Sequence, residues 1–418
     1  MTLEPPRHPP AAPAGPDAPD GPAAPSATWR VPPAGEPLVR GRAGGPLTGV
    51  RVAVKDVLAV AGHRTGAGVP TWCERAAVQP RHAAALQFLL DAGADVVGIA
   101  QTDELAFSLM GANAHHGTPP NPAAPGHLPG GSTSGPASAV AAGRADVGLG
   151  TDTAGSLRVP ASWCGLHALR PTHGAVPTAG VLPLAPSFDT VGVLARDAAH
   201  LRAAAGALLP AGAAPRPAAL LHLPALTALA GPATARAVEA AARDLARRTG
   251  LPLRELDEPV APADAAAWTA AFRTVQAAEA WRAHGGFVEA HPGALSAPVA
   301  ARFRAGRDVG AHEEAAARAV LAARREWLAG LLAGDGDEAG LLCLPATAGP
   351  APRADAAAGE LEAARAATLT LTSLGSLAGV PVLALPAPRV GALPVGLAVA
   401  APAGADRALL ELLPADPR

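Results

Sequence analysis

A few residues of scarce type carry the chemistry this chain can do. Lys55 is the only lysine among 418 residues, beside 32 arginines. An arginine carries charge and donates hydrogen bonds as well as a lysine does, but its pKa above about 12 keeps it protonated. A position that holds lysine in so arginine-rich a chain therefore points to a base. Serine is scarce as well: eleven occur, and Ser132, Ser134, Ser138, Ser156 and Ser162 fall within 31 residues. The two asparagines, Asn113 and Asn121, lie just upstream. These types support a serine hydroxyl activated by a neighbouring base, and they place the chemistry between about positions 50 and 190.

Two segments concentrate the serines. GGSTSGPASAVAAG (130 to 143) is a Gly/Ser loop running into a small-residue helix, and GTDTAGSLRVPASWCG (150 to 165) is a second loop of the same kind, ending at Ser156. Each offers free backbone N–H groups at a helix start, where negative charge is favoured. Ser132 and Ser156 are 24 residues apart, enough for a helix and a strand that return the second loop to the same end of a sheet. Taken singly, such loops are common structural turns, and a phosphate cradle is the other reading. The GxxxxGK[ST] order is missing, since the lysine lies far upstream, and neither GxGxxG nor the GxSxG elbow of α/β-hydrolases occurs. His115, His116, His127, His167 and His173 lie nearby without metal-ligand spacing. They read as surface or core histidines, and neither metal nor cofactor is expected.

The elements that must position these residues follow the apolar pattern. GVRVAVKDV reads as a buried strand, Val50 to Val54, that delivers Lys55 at its carboxyl end. His82 to Ala92 reads as a helix with Leu86, Leu89 and Leu90 on one face, and Asp95 to Ala100 as the next strand. This β–α–β alternation predicts an α/β fold: a mixed, mostly parallel central sheet covered by helices on both faces, with ligands meeting the carboxyl ends of strands. From about 197 to 335 the pattern is long and helical, with a Pro-rich connector near 252 to 263. LLCLP (341 to 345), VPVLALP (380 to 386) and LPVGLAVAA (393 to 401) suit buried strands returning to the same sheet. Residues 1 to 35 are a Pro/Ala/Gly run expected to form a disordered tail, and 36 to 418 are expected to form a single domain.

Composition narrows the partners. A net charge of -2 and a pI near 6.7 give no basic footprint for nucleic acid, and no block of like charge marks a membrane surface. A small molecule is the expected partner. Cys73, Cys164 and Cys343 are far apart with no CxxC pair, which encodes neither a disulfide framework nor a structural zinc site. The chain shows neither a signal peptide nor an apolar run long enough to span a bilayer, so the expectation is a soluble, cytoplasmic protein.

VAVKDV around Lys55, GGSTSGPASAVAAG and GTDTAGSLRVPASWCGLHALRPTHG together resemble the amidase signature family. The likeness is collinear over roughly residues 45 to 410. It runs through TDELAFS (102 to 108) and PSFDTVGVLARD (186 to 197) to GVPVLALP and LPVGLAVAA. It implies a mixed sheet wrapped by helices and a Ser–cis-Ser–Lys triad, in which Lys55 is the base, Ser132 the cis-serine and Ser156 the nucleophile. The reaction implied is cleavage of a small carboxamide to carboxylate and ammonia or amine through an acyl-enzyme. The backbone N–H groups of Thr153, Ala154, Gly155 and Ser156 would form the oxyanion hole. A homodimer is a family expectation. The wording of several segments looks closest to indole-acetamide hydrolase-like and other small-amide members. A glutaminase subunit of a glutamyl-tRNA amidotransferase and a catalytically silent scaffold of the same fold are the alternatives.

The residues add conditions of their own. Lys55 must be neutral to act as a base, which burial favours, and Asp56 should point to the opposite face of the strand. Ser108 and Met110 are expected to line the acyl pocket. Arg158 and Asp152 are expected to hold the second loop by an ion pair, and Thr133 and Ser134 to support the first by hydrogen bonds. Ala154 stands where most of the family has glycine. Pro136 interrupts the small-residue run and is compatible with a helix only in its first turn.

Overall fold

Alternation along the late apolar runs shows how the sheet is covered. In the computed structural model, which describes residues 26–212, 215–333 and 338–414, Leu383 and Leu385 of one strand and Leu397 and Val399 of the next pack with Val238 and Leu245 of the helix Pro232–Thr249. The intervening Val382, Ala398 and Ala400 face the other way, toward Val159 and Trp163 of the helix Arg158–Cys164. Period-two side-chain placement thus gives each strand two buried faces, with a helix on either side.

Eleven strands join in one sheet: β1 (Trp29–Val31), β2 (Arg51–Lys55), β3 (Asp95–Ala100), β4 (Val147–Asp152), β5 (His167–Arg170), β6 (Thr190–Ala195), β7 (Arg216–His222), β8 (Leu253–Glu255), β9 (Glu338–Pro345), β10 (Val382–Val390) and β11 (Leu393–Ala400). Across the sheet they run β1-β3-β2-β4-β6-β5-β10-β11-β9-β7-β8. The sheet is mixed, as expected, but it is not mostly parallel. β2 is parallel to β3 and β4, and β7 to β8 and β9; every other neighbouring pair is antiparallel. For β10 and β11 the short connection decides the direction: they are joined by a tight turn at Gly391, with φ +60°, whereas a parallel crossover needs a dozen residues or more.

Five strands escape the sequence reading: β5 and β6, quoted only within motifs, and β1, β7 and β8. β7 and β8 lie in the stretch read as helical with a Pro-rich connector; β8 has only three residues, and β7 (RPAALLH) carries no β-branched residue to mark it as a strand. β1 falls inside the stretch read as a tail. Residues 1–25 of that tail lie outside the described residues, but Trp29 pairs with Ala100 on β3 and is fully buried. Four residues, Thr28 to Val31, supply the apolar and β-branched side chains that the preceding Pro/Ala run lacks.

Candidate active site

Strand parity places the lysine. Val52 and Val54 of β2 face one core, while Ala53 faces the small-residue cluster with Ala137 and Val140 of the helix Ser134–Ala141. Lys55, two residues after Ala53, emerges at the carboxyl end of β2 beside the loop that leads into that helix. The parallel neighbours β3 and β4 deliver their own carboxyl-end loops to the same place, Thr102–Ser108 from one and Thr153–Leu157 from the other. This is the end of the sheet where such folds hold ligands.

There the three residues meet. Lys55 Nζ donates to Ser132 Oγ at 2.8 Å and to Thr151 Oγ1 at 2.7 Å, and Ser132 Oγ donates to Ser156 Oγ at 3.0 Å. The Gly131–Ser132 peptide bond is cis. Lys55 and Ser132 are fully buried, and Ser156 is 3% exposed at the wall of a small pocket. Burial drives the Lys55 ammonium from its usual value of 10.5 down to about 7, against the fields of Asp103, Asp152 and Asp189, which favour the charge. Asp56 does not contact Lys55. Its Oδ2 lies 2.7 Å from Arg30 Nε, a close ion contact without hydrogen-bond alignment, and its Oδ1 accepts from the Gly66 amide.

Both loops are held by buried acids. Asp103 accepts from the Gly111 amide and from Ser134 Oγ, and Thr102 Oγ1 donates to the Ser132 carbonyl. Asp152 accepts from the amides of Gly155 and Leu157 and from Arg158 Nε and Nη2, and it meets Arg170 Nη1 at 3.1 Å. Burial would raise the Asp152 carboxyl, but the two guanidiniums and the Leu157 amide hold it well below the usual carboxylate range. Thr133 Oγ1 donates to the Thr151 carbonyl. Pro136 is the third residue of its helix, inside the first turn, where its missing N–H leaves no bond unmade.

The second loop presents its amides selectively. The Gly155 N–H is occupied by Asp152 Oδ1 at 2.8 Å, so Gly155 leaves the expected oxyanion set. Its own φ of +123° and the 2.9 Å approach that a Cβ would make to Thr372 reserve this position for glycine. The amides of Thr153, Ala154 and Ser156 donate to no protein group among the described residues. Ala154 has no positive φ, so its methyl is compatible with the turn, and its carbonyl accepts from Thr372 Oγ1. Thr153 Oγ1 donates to Asp189 Oδ1 at 2.6 Å.

The pocket at Ser156 is lined by Ser108 but not by Met110, which is buried in the apolar cluster with Leu128 and Trp163. Positive φ at Leu105 and Ala106 bends the chain, so that Ala106, Phe107, Ser108 and Leu109 reach the pocket and the next residue turns inward. Sequence reasoning missed Thr151, Asp103, Arg170 and Thr372, whose roles depend on contacts across 18 to 218 residues. It also missed Gln276 and Arg365 on the pocket wall. The signal for Gln276 is rarity, since it is one of four glutamines in the chain and sits in an alanine-rich helix.

A family model described as Amidase matches residues 24–210. Amidase 1 of Arabidopsis thaliana is 51% identical over 156 residues, which are 37% of this chain and 37% of that protein, so the match spans well under half of the relative's length. A glutamyl-tRNA(Gln) amidotransferase subunit of Thermus thermophilus is 35% identical over 406 residues, covering 87% of this chain and 83% of the relative. A solved structure described as an amidase superposes with a TM-score of 0.76 at 30% identity, over 88% of this chain and 84% of that one.

Proposed function

The chain belongs to the amidase family, and from that premise we propose that it is a serine amidohydrolase that cleaves a small carboxamide to carboxylate and ammonia or amine. The observation that carries this reading is the unbroken chain of 2.8 and 3.0 Å contacts from Lys55 Nζ through Ser132 Oγ to Ser156 Oγ. Hydroxyl protons rotate between partners, so the same contacts serve both directions of transfer. A neutral Lys55 takes the proton of Ser132 as Ser132 takes that of Ser156, and Ser156 Oγ attacks the carbonyl carbon. The carbonyl π pair moves onto oxygen, where the amides of Thr153, Ala154 and Ser156 are available as donors; each such donor is worth about 3 to 4 kcal/mol. Collapse breaks the C–N bond, and the proton returns through Ser132 to the leaving nitrogen. Water then attacks the acyl-enzyme through the same relay and releases the carboxylate.

A lysine pKa of about 7 suits both halves of this cycle, because the base must gain and lose its proton near neutral pH. Similarity to the Thermus amidotransferase subunit over most of both chains favours a second reading, in which glutamine is the amide donor. Mass mapping after fluorophosphonate treatment tests the first requirement of either: one adduct on Ser156, greatly slowed in Lys55→Ala. Ammonia release from aliphatic and aromatic amides, indole-acetamide and glutamine then separates them. An adduct on another serine overturns the assignment.

A further inference from the structure

Two buried polar side chains on the wall of the Ser156 pocket are not used by the relay. Gln276, from the helix Pro262–Ala290, and Arg365, from the helix Ala358–Ala378, line it together with Phe107, Leu184 and Leu369. Gln276 is 6% exposed and its carboxamide bonds to no protein group among the described residues. Arg365 is 7% exposed; its Nε and Nη2 donate to Glu362 at 2.9 and 2.8 Å, and its Nη1 has no partner among the described residues. Left unpartnered, such groups cost about 1 to 3 kcal/mol each. Neither belongs to the buried orphan atoms sealed inside the protein, so what they meet is the content of the pocket.

The charge balance there is positive. Arg302 Nη2 lies 3.8 Å from the same Glu362 carboxylate, while Arg302 Nη1 donates to the Phe107 carbonyl. One carboxylate, half-exposed to solvent, is thus shared by two guanidiniums, and the charge of Arg273 adds to theirs. Arg365 precedes Thr372, the residue bonded to the Ala154 carbonyl, by two helical turns, or about 10 Å along the axis. The cationic side chain is therefore carried on a different turn of the helix from the one that buttresses the nucleophile loop. Gln276 and Arg365 both lie beyond the 24–210 stretch matched by the family model.

We propose that Gln276 and Arg365 form an anion-accepting subsite, and that the substrate is a small amide carrying a carboxylate at the end remote from the scissile bond, such as the monoamide of a short dicarboxylic acid. This rests on the amidase reading above. Hydrolysis consumes one water, breaks the C–N bond and forms a C–O bond, releasing ammonia and the dicarboxylate. A paired contact, one hydrogen bond from Arg365 Nη1 and one from the Gln276 carboxamide, matches the two oxygens of a carboxylate, and the apolar walls match the methylene spacer.

The test separates the subsite from the catalysis. Binding of succinamate, glutaramate and adipamate to Ser156→Ala is measured by calorimetry against the neutral alkanamides of equal carbon number. At least one anionic amide should bind tenfold or more tighter than its neutral counterpart. That preference should be lost in Ser156→Ala carrying Arg365→Met and reduced in Ser156→Ala carrying Gln276→Leu; thermal unfolding establishes that both variants are folded. In the active enzyme, the ratio of kcat/KM for the anionic over the neutral amide should fall at least tenfold in Arg365→Met, chiefly through KM. Equal binding of charged and neutral amides, or a preference that survives both substitutions, overturns the subsite. Turnover of neutral amides without such a preference leaves the amidase reading standing. A binding preference in a protein that hydrolyses no amide and takes no label on Ser156 leaves the subsite standing and removes the amidase reading.

Discussion

Lys55 concentrates the trade between stability and reactivity at a single side chain. With its ammonium value lowered from 10.5 to about 7 by burial, the base is competent only above that pH, so kcat/KM should rise with pH through about 7 and level off beyond it. Lys55→Arg should keep a cation in place and lose about a thousandfold or more in kcat, because arginine does not deprotonate. Burying the lysine also couples folding to pH. Between about 7 and 10.5 the native lysine is neutral while the unfolded one is protonated; the unfolded state binds more protons, and stability rises with pH across that window. Lys55→Met lacks this term. Its stability advantage over the wild type, measured by denaturant unfolding, should therefore shrink by a few kcal/mol from pH 7 to 10.5, at about 1.4 kcal/mol per unit. A constant difference across the window would show that the lysine is not held neutral.

At the scale of elements, the loop between β4 and the helix Arg158–Cys164 is shaped by one carboxylate. Asp152 orients the amides of Gly155 and Leu157 and is held by Arg158 and Arg170, all of them buried. Asp152→Asn leaves two guanidiniums short of their countercharge and should destabilise by about 3 to 5 kcal/mol, read as a fall in the denaturation midpoint. Gly155→Ala should cost about 1 to 3 kcal/mol and most of the activity, since a methyl at φ +123° meets Thr372 at 2.9 Å. Thr372→Ser removes one of the clashing atoms but not the backbone strain, so the double variant should stay impaired.

Across the whole molecule, contacts between distant segments close the site. Arg158 Nη1 and Nη2 donate to the Thr372 carbonyl and Ser376 Oγ, more than 200 residues downstream, and so lock the helix Ala358–Ala378 onto the nucleophile loop. At the other end of the sheet, β1 seals the edge of β3 with a fully buried Trp29. Trp29→Ala should destabilise by about 3 to 5 kcal/mol, measured by thermal or denaturant unfolding. A negligible effect would mean that the edge strand is dispensable to the core.

The division between what was legible in the sequence and what was not follows the range of the interactions. Lys55, Ser132 and Ser156 stood out by type, because a base and hydroxyls have few substitutes and this chain uses lysine and serine sparingly. β2, β3 and the helix Ala84–Asp91 were legible because apolar periodicity is a local signal. The predominance of antiparallel pairs in the sheet, the engagement of the Gly155 amide, the inward turn of Met110 and the meeting of Gln276 and Arg365 on one pocket wall were decided only in three dimensions. Each depends on which strand or helix arrives from elsewhere in the chain, and pairing between distant segments leaves no periodic trace in either of them.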